Sequence, residues 1–110
     1  MNFVKMHGNG NDFIVIEDLN NKLKGKESSL AKKVCHRRYG IGADGILLVR
    51  RQNETIEMVI INSDGSYAAM CGNGIRCVGK FVYDNGLTDK TTVTIDTLAG
   101  VKILELKTGA

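Results

Sequence analysis

The segment MCGNGIRCVGKFVYDNG, Met70 to Gly86, decides the fold because it predicts a helix that is apolar over most of its surface. The helix is expected from about Asn73 to Asn85, and only a narrow polar stripe interrupts its apolar surface. Gly86 is suited to the left-handed position that ends a helix. A helix that is apolar nearly all round is a buried helix, so we expect the rest of the chain to enclose it. The apolar residues are Ile75, Cys77, Val78, Phe81, Val82 and Tyr83; the polar stripe is Arg76, Lys80 and Asp84.

Candidate strands lie on both sides of this helix in the sequence. A first helix is also predicted, from an N-cap at Ser28 or Ser29 to a stop at Gly40, with Leu30, Ala31, Val34 and Cys35 on its buried side. The expected fold is α+β: a curved mixed or antiparallel sheet rolled around the central buried helix, with the first helix outside it. Apolar alternation and β-branched runs predict the strands Phe3–Met6, Phe13–Leu19, Ile46–Arg50, Thr55–Ile61, Thr92–Leu98 and Val101–Leu106.

Length and composition are those of one globular domain. The chain has 110 residues, of which 43% are hydrophobic and 25% charged, so we expect a single core formed by residues 1–110. No apolar run approaches the ~18 residues of a membrane span, and FIVI at Phe13–Ile16 is too short for a signal-peptide core. The sequence therefore favours a cytoplasmic location and no membrane partner.

Charge and cysteine spacing exclude two further classes of site. The net charge of +3 comes mostly from KLKGKESSLAKK and HRR, which lack interleaved aromatic residues, so a solvated helix face is favoured over a nucleic-acid surface. Cys35, Cys71 and Cys77 form no CxxC pair and have no histidine at ligand spacing. Neither a metal site nor a disulfide framework is expected.

Three loops rich in glycine and asparagine predict a polar pocket. They are HGNGND at His7–Asp12, GIGADG at Gly40–Gly45, and the stretch from NSDG at Asn62 to CGNG at Gly74. Small residues at strand ends and helix starts let backbone N–H groups approach a ligand, although the spacing is wrong for a dinucleotide fingerprint.

Asparagine also favours turns whether or not it binds a ligand, and this preference is enough to explain Asn9. Asn11, Asn62 and Asn73 are better ligand candidates, because each stands where a loop meets a strand or the buried helix. Asp12 and Asp44 are expected to fix loops rather than act as general bases.

Cys71 differs from the other two cysteines in its position. Cys35 and Cys77 lie on apolar helix faces and are expected to be small buried fillers. Cys71 precedes the helix, where unpaired N–H groups and the helix dipole stabilise a thiolate and lower its pKa. A reactive thiol and a buried filler are both compatible with that position.

Taken together, KMHGNGNDF at Lys5–Phe13, GIGADG, NSDGS and MCGNGIRC resemble the diaminopimelate epimerase family in order and spacing. The combination of the opening motif with CGNGIRC is far more specific than either alone. Proline racemase-like enzymes, the nearest alternative isomerases, typically have histidine in place of Asn73 and lack the opening motif.

The resemblance implies a cofactor-independent isomerase that converts LL-diaminopimelate to the meso form on the route to lysine and cell-wall peptide. It implies two similar halves, each a sheet rolled around a helix, with one cysteine from each half facing the substrate's α-carbon. Cys71 matches the cysteine of the first half, and Asn11, Asn62, Gly72 and Asn73 match positions that hold the substrate. Some members carry glutamine where this chain has Gly45.

The resemblance covers the first half only, and this leaves several readings open. Cys77 is six residues along the same helix and cannot replace the second thiol. We expect the C-terminal half to be absent from this chain and the lone chain to be inactive. The chain is then a fragment of the enzyme, or it works with a separately supplied second half, or as a homodimer that pairs two Cys71 thiols, or it is a non-catalytic amino-acid-binding half-domain.

Overall fold

The computed structural model of the protein describes residues 3–8, 10–52, 55–69, 72–88 and 91–105. All six predicted strands are present, with ends that differ from the prediction by at most two residues, and Leu106 lies outside the described residues. The described residues form seven strands and two helices: β1 Phe3–Gly8, β2 Asn11–Glu17, α1 Glu27–Val34, β3 Gly45–Gln52, β4 Thr55–Asn62, β5 Tyr67–Ala68, α2 Gly72–Asp84, β6 Thr92–Thr97 and β7 Gly100–Glu105.

The strands form one mixed sheet in the order β1-β2-β3-β4-β6-β7, with β5 paired to β4. β2 and β3 are parallel, as are β4 and β6, and the other pairs are antiparallel. Helix α1 lies in the connection from β2 to β3, and α2 in the connection from β4 to β6. The expected α+β class and mixed sheet are confirmed.

The single core expected from the chain's length is wrong, because alternating strand residues build two cores, one on each face of the sheet. The larger core surrounds α2 and receives side chains from all seven strands, from Met6 of β1 to Leu104 of β7. The smaller core lies between the sheet and α1. The central helix is therefore confirmed, and its exposed residues include the predicted stripe of Arg76, Lys80 and Asp84, of which the last two form an ion pair at 2.9 Å.

The predicted end of α2 is confirmed in detail. Gly86 has a φ of 71°, the left-handed conformation that favours glycine. Its N–H donates to the Tyr83 carbonyl at 3.2 Å, and the Leu87 N–H donates to the Val82 carbonyl at 2.9 Å. These two bonds are the Schellman pattern that ends a helix.

The predicted boundaries of α1 are wrong at both ends. The N-cap is Lys26, without a side-chain cap, and the helix ends at Val34 rather than Gly40. Ser28 is no cap because its hydroxyl donates to the carbonyl of Gly65 at 2.7 Å, in the turn after β4. A tertiary hydrogen bond has replaced the local one. Of the predicted buried face, Ala31 and Cys35 are buried, whereas Leu30 and Val34 are half-buried.

Strand β5 was not predicted, because two residues are too few to show an alternating pattern. No helix among the described residues has the length and apolar character that crossing a membrane requires.

Candidate active site

Three of the chain's loop-to-strand junctions meet at one edge of the sheet. β2 begins at Asn11, β3 begins at Gly45 and β4 ends at Asn62. Gly45 pairs with Phe13 on one side and with Asn62 on the other. Because β3 runs parallel to β2 and antiparallel to β4, these junctions share an edge, hereafter the site edge.

Strand alternation directs two of the predicted asparagines toward α2. Asn11 has the same parity as Phe13, and Asn62 the same parity as Ile60, and both of these apolar residues belong to the core around α2. The site edge therefore presents asparagine side chains on the face of the sheet that carries the central helix.

The first turn of α2 reaches the same place. The Asn73 Nδ2 atom donates to the Asn11 Oδ1 atom at 3.1 Å, and both residues are half-buried. Gly72 begins the helix and is exposed, with no atom within 4 Å of where a Cβ would stand. The first N–H groups of a helix have no intrahelical acceptor, so this end of α2 offers donors to an anion.

Cys71 immediately precedes Gly72 in the chain and lies outside the described residues, as does Asn9. The structure therefore brings Asn11, Gly72 and Asn73 to one corner, and the prediction for Cys71 rests on sequence adjacency.

Asn62 is held by its own turn. Its Nδ2 atom donates to the Ser66 hydroxyl at 3.1 Å, and its backbone N–H donates to the Ser66 carbonyl at 2.7 Å. Ser66 in turn donates to the Asp64 carboxylate from both its hydroxyl and its N–H, and these bonds lower the pKa of Asp64. Asn62 thus lies at the site edge and also performs the turn role considered for asparagines.

Gly45 offers the site no side chain. A Cβ built there would lie 2.8 Å from the Ile61 carbonyl oxygen, so a larger residue requires the backbone of β3 or β4 to shift. The glutamine that some members of the resembled family carry here has no counterpart in this chain.

The opposite face of the site edge carries an ionic cluster. The Arg37 guanidinium lies 3.2 Å from Asp12 Oδ2 and 3.1 Å from Asp44 Oδ1, and His7 Nδ1 lies 2.6 Å from Asp12 Oδ1. The His7 hydrogen bond, followed by the bond from Arg37, lowers the pKa of Asp12. These contacts suit the loop-fixing role predicted for Asp12, and the Arg37 contact suits the same role predicted for Asp44.

Sequence reasoning missed the role of Arg37, which stood in a basic run expected to be solvated. The side chain is indeed 57% exposed, but it is paired. The sequence gives no spacing signal for this pairing, because Asp12 lies 25 residues away.

Sequence reasoning also missed a buried ionic cluster at the far end of β3. Arg50 Nε lies 3.0 Å from Asp18 Oδ2, and Arg50 Nη2 lies 3.1 Å from Glu27 Oε2, with all three residues buried. Burial opposes ionisation of Glu27, but hydrogen bonds from backbone N–H groups and from Arg50 outweigh it and lower the Glu27 pKa. The sequence did contain a signal for this cluster, because Arg50 stands inside an apolar strand.

Cys35 and Cys77 are confirmed as core residues, with 2% and 5% of their surfaces exposed. Burial raises the pKa of the Cys35 thiol. Across the described part of the chain, no three His, Cys, Asp or Glu side chains are arranged to hold a metal ion.

Comparison with known proteins covers all the elements that form the site edge. The family model described as diaminopimelate epimerase matches residues 3–109 of this chain. The chain belongs to the diaminopimelate epimerase family. The match includes both motifs that the Asn11–Asn73 hydrogen bond joins.

Relatives that carry the name diaminopimelate epimerase are similar along nearly the whole chain. The protein from Clostridium perfringens is 66% identical over 108 residues, which is 97% of this chain and 40% of the relative. The protein from Alkaliphilus metalliredigens is 52% identical over 107 residues, 96% of this chain and 38% of the relative. The chain thus spans about two fifths of the length of these diaminopimelate epimerases.

Solved structures of proteins with other names share the fold. A PhzF-family phenazine biosynthesis protein from Bacillus anthracis matches with a TM-score of 0.73 and 20% identity, over 97% of this chain and 35% of that one. A hydroxyproline epimerase from Agrobacterium vitis matches with a TM-score of 0.68 and 17% identity, over 96% of this chain and 37% of that one. At these identities the likeness shows that this chain has their fold.

Proposed function

We propose that this chain is the N-terminal half of a cytoplasmic diaminopimelate epimerase that interconverts LL- and meso-diaminopimelate without a cofactor. The names of the relatives support the substrate. The observation that carries the proposal is the 3.1 Å hydrogen bond between Asn73 and Asn11. It brings the opening HGNGND motif and the CGNG motif together at the start of the central helix.

The substrate is bound by the three asparagines and the N-terminus of α2. A diaminopimelate end carries an ammonium and a carboxylate, and an asparagine amide offers both an acceptor and a donor. The N–H groups of Gly72 and the first turn of α2 suit the carboxylate, because they have no acceptor within the helix and lie at the positive end of the helix dipole. Asn11, Asn62 and Asn73 then fix the orientation of the α-carbon.

Proton transfer falls to Cys71. Its thiolate removes the α-proton, the electron pair stays on the α-carbon, and a second thiol on the opposite face delivers a proton to complete the inversion. The second thiol comes from further chain, from a separate half or from a second copy of this chain. Without a pyridoxal electron sink, the carbanion depends on preorganised donors in a closed, dry site, and the start of α2 supplies such donors.

The proposal is tested in a longer polypeptide: this chain followed by the part of the Clostridium perfringens relative that the chain does not cover. Conversion of LL-diaminopimelate is measured for this protein and for the variants Cys71→Ala, Cys71→Ser and Cys77→Ala. Both Cys71 variants should lose turnover while Cys71→Ala still binds substrate, because the thiol transfers protons and the asparagines bind. Cys77→Ala is the matched control, since Cys77 lies in the core of the same helix. Near-normal turnover by Cys71→Ala would contradict the proposal.

A further inference from the structure

The ionic cluster of Arg37, Asp12 and Asp44, on the face of the site edge opposite α2, links segments that are distant in sequence. One guanidinium, that of Arg37 in the loop after α1, contacts the carboxylates of Asp12 and Asp44 through two different nitrogens at 3.2 and 3.1 Å. Asp12 lies at the start of β2, and Asp44 directly precedes β3. A planar guanidinium is suited to such a two-point bridge, whereas a lysine ammonium is a single point charge.

The two aspartates are also joined to each other. The Asp12 N–H donates to the Asp44 Oδ2 atom at 2.8 Å, and the Asp44 N–H donates to the Asp12 carbonyl at 3.0 Å. Two carboxylates held this close repel each other unless a cation lies between them. Arg37 supplies that cation to both, with Lys5 Nζ a further 4.0 Å contact of Asp12.

Each aspartate of the cluster is tied to a position next to a proposed substrate-binding asparagine, Asp12 by the chain itself and Asp44 by a backbone hydrogen bond. Asp12 follows Asn11, and the Ser63 N–H, which follows Asn62, donates to the Asp44 carbonyl at 3.0 Å. Asn11 in turn accepts the hydrogen bond of Asn73. Neighbouring strand residues point to opposite faces of the sheet. The cluster therefore holds, from the face opposite α2, the backbone segments whose asparagine side chains face α2.

We propose that Arg37 is a positioning residue for the substrate site, and this inference rests on the function proposed above. By bridging Asp12 and Asp44, Arg37 fixes the relative position of the backbone segments that carry Asn11 and Asn62, and through Asn11 it fixes Asn73. Arg37 itself contacts no substrate. The competing account is that Arg37 forms an ordinary exposed ion pair, which contributes little to any property of the protein.

The test compares Arg37→Gln and Arg37→Lys with Arg38→Gln as the matched control. Arg38 is the neighbouring arginine, and it lies over the ring of Tyr39 at 5.7 Å, away from the two aspartates. Steady-state kinetics with LL-diaminopimelate are measured in the longer polypeptide. Arg37→Gln should raise KM about tenfold because misplaced binding groups are costly, with Arg37→Lys between it and wild type. Arg38→Gln should stay within about twofold.

A second measurement does not depend on activity. In nitrogen-15 NMR spectra of the 110-residue chain, the side-chain amide signals of Asn11, Asn62 and Asn73 should shift in Arg37→Gln and not in Arg38→Gln. If the longer wild-type polypeptide fails to epimerise diaminopimelate, the proposed function fails, but these signals still test the positioning role. Unchanged asparagine signals in Arg37→Gln would overturn the inference. So would an unchanged KM in Arg37→Gln, whatever happens to the melting temperature, because an ordinary exposed ion pair affects stability only slightly and does not act on substrate binding.

Discussion

At the scale of single residues, the chemistry of the three cysteines should differ sharply. Cys35 and Cys77 are buried, and burial raises the pKa of Cys35, so both should react slowly. Cys71 is joined to Gly72 at the start of α2, where a thiolate is favoured. Brief alkylation of the folded chain near neutral pH, followed by peptide mass spectrometry, should label Cys71 first. Faster labelling of Cys77 would contradict the placement of Cys77 in the core around α2.

Residue types showed which side chains carry chemistry, but they could not show how these side chains pair. Asn11 and Asn73 were recognisable because each stands at a junction between a loop and a regular element. Their hydrogen bond, across 62 positions of sequence, depends on the central helix beginning at the site edge. Arg37 could not be distinguished from its neighbour Arg38, because only the folded loop turns one of them toward two carboxylates.

At the scale of elements, the end of α2 depends on a glycine. Gly86→Ala should destabilise the chain by about 1 kcal/mol, because a Cβ is strained at a φ of 71°. The free energy of unfolding is measured by urea denaturation. Arg76→Ala, on the exposed stripe of the same helix, is the control and should change this free energy by less than about 0.5 kcal/mol. Equal effects of the two substitutions would contradict the Schellman ending.

Element boundaries were predictable where local signals act alone. The end of α2 follows from Gly86, and strand alternation predicted the β2, β3 and β4 ends at the site edge to within two residues. The start of α1 was wrong because Ser28 has a tertiary partner, the Gly65 carbonyl. Local capping rules give no information about such a competitor.

At the scale of the whole molecule, the buried cluster of Arg50, Asp18 and Glu27 should make stability depend on pH. The pKa of Glu27 is lower in the folded chain than its ordinary value of 4.5, so the folded state favours the ionised carboxylate. Its contribution to stability is complete above pH 4.5 and is lost as the pH falls through the folded pKa. The slope of unfolding free energy against pH should therefore be smaller in Glu27→Gln than in wild type over that acidic range.

The same variant can be compared at neutral pH. Glu27→Gln should lower the free energy of unfolding by about 1–3 kcal/mol, because it removes a charged partner from buried Arg50. Glu57→Gln is the control: its carboxylate lies 3.9 Å from Arg50 and is 33% exposed, so its effect should be below about 1 kcal/mol. If Glu27→Gln and Glu57→Gln both have the wild-type free energy of unfolding, at neutral pH and in the acidic range, the cluster does not stabilise the fold.

The overall architecture was predictable because a helix that is apolar over most of its surface needs apolar surface to cover it, and the strands provide that surface. The buried cluster around Arg50 was not predictable. The partners of Arg50 come from the loop after β2 and from α1, and only the tertiary fold brings them to β3.

The most direct test of the central claim is hydrogen exchange at the substrate's α-carbon. LL-diaminopimelate is incubated in deuterated water with this chain alone, with this chain plus a separately expressed remainder of the Clostridium perfringens relative, and with the Cys71→Ala chain plus that remainder. The account predicts deuterium incorporation with inversion only in the second mixture, because inversion needs thiols on opposite faces of the α-carbon. Deuterium incorporation at an undiminished rate in the Cys71→Ala mixture, or incorporation with inversion by a monomeric lone chain, would contradict it.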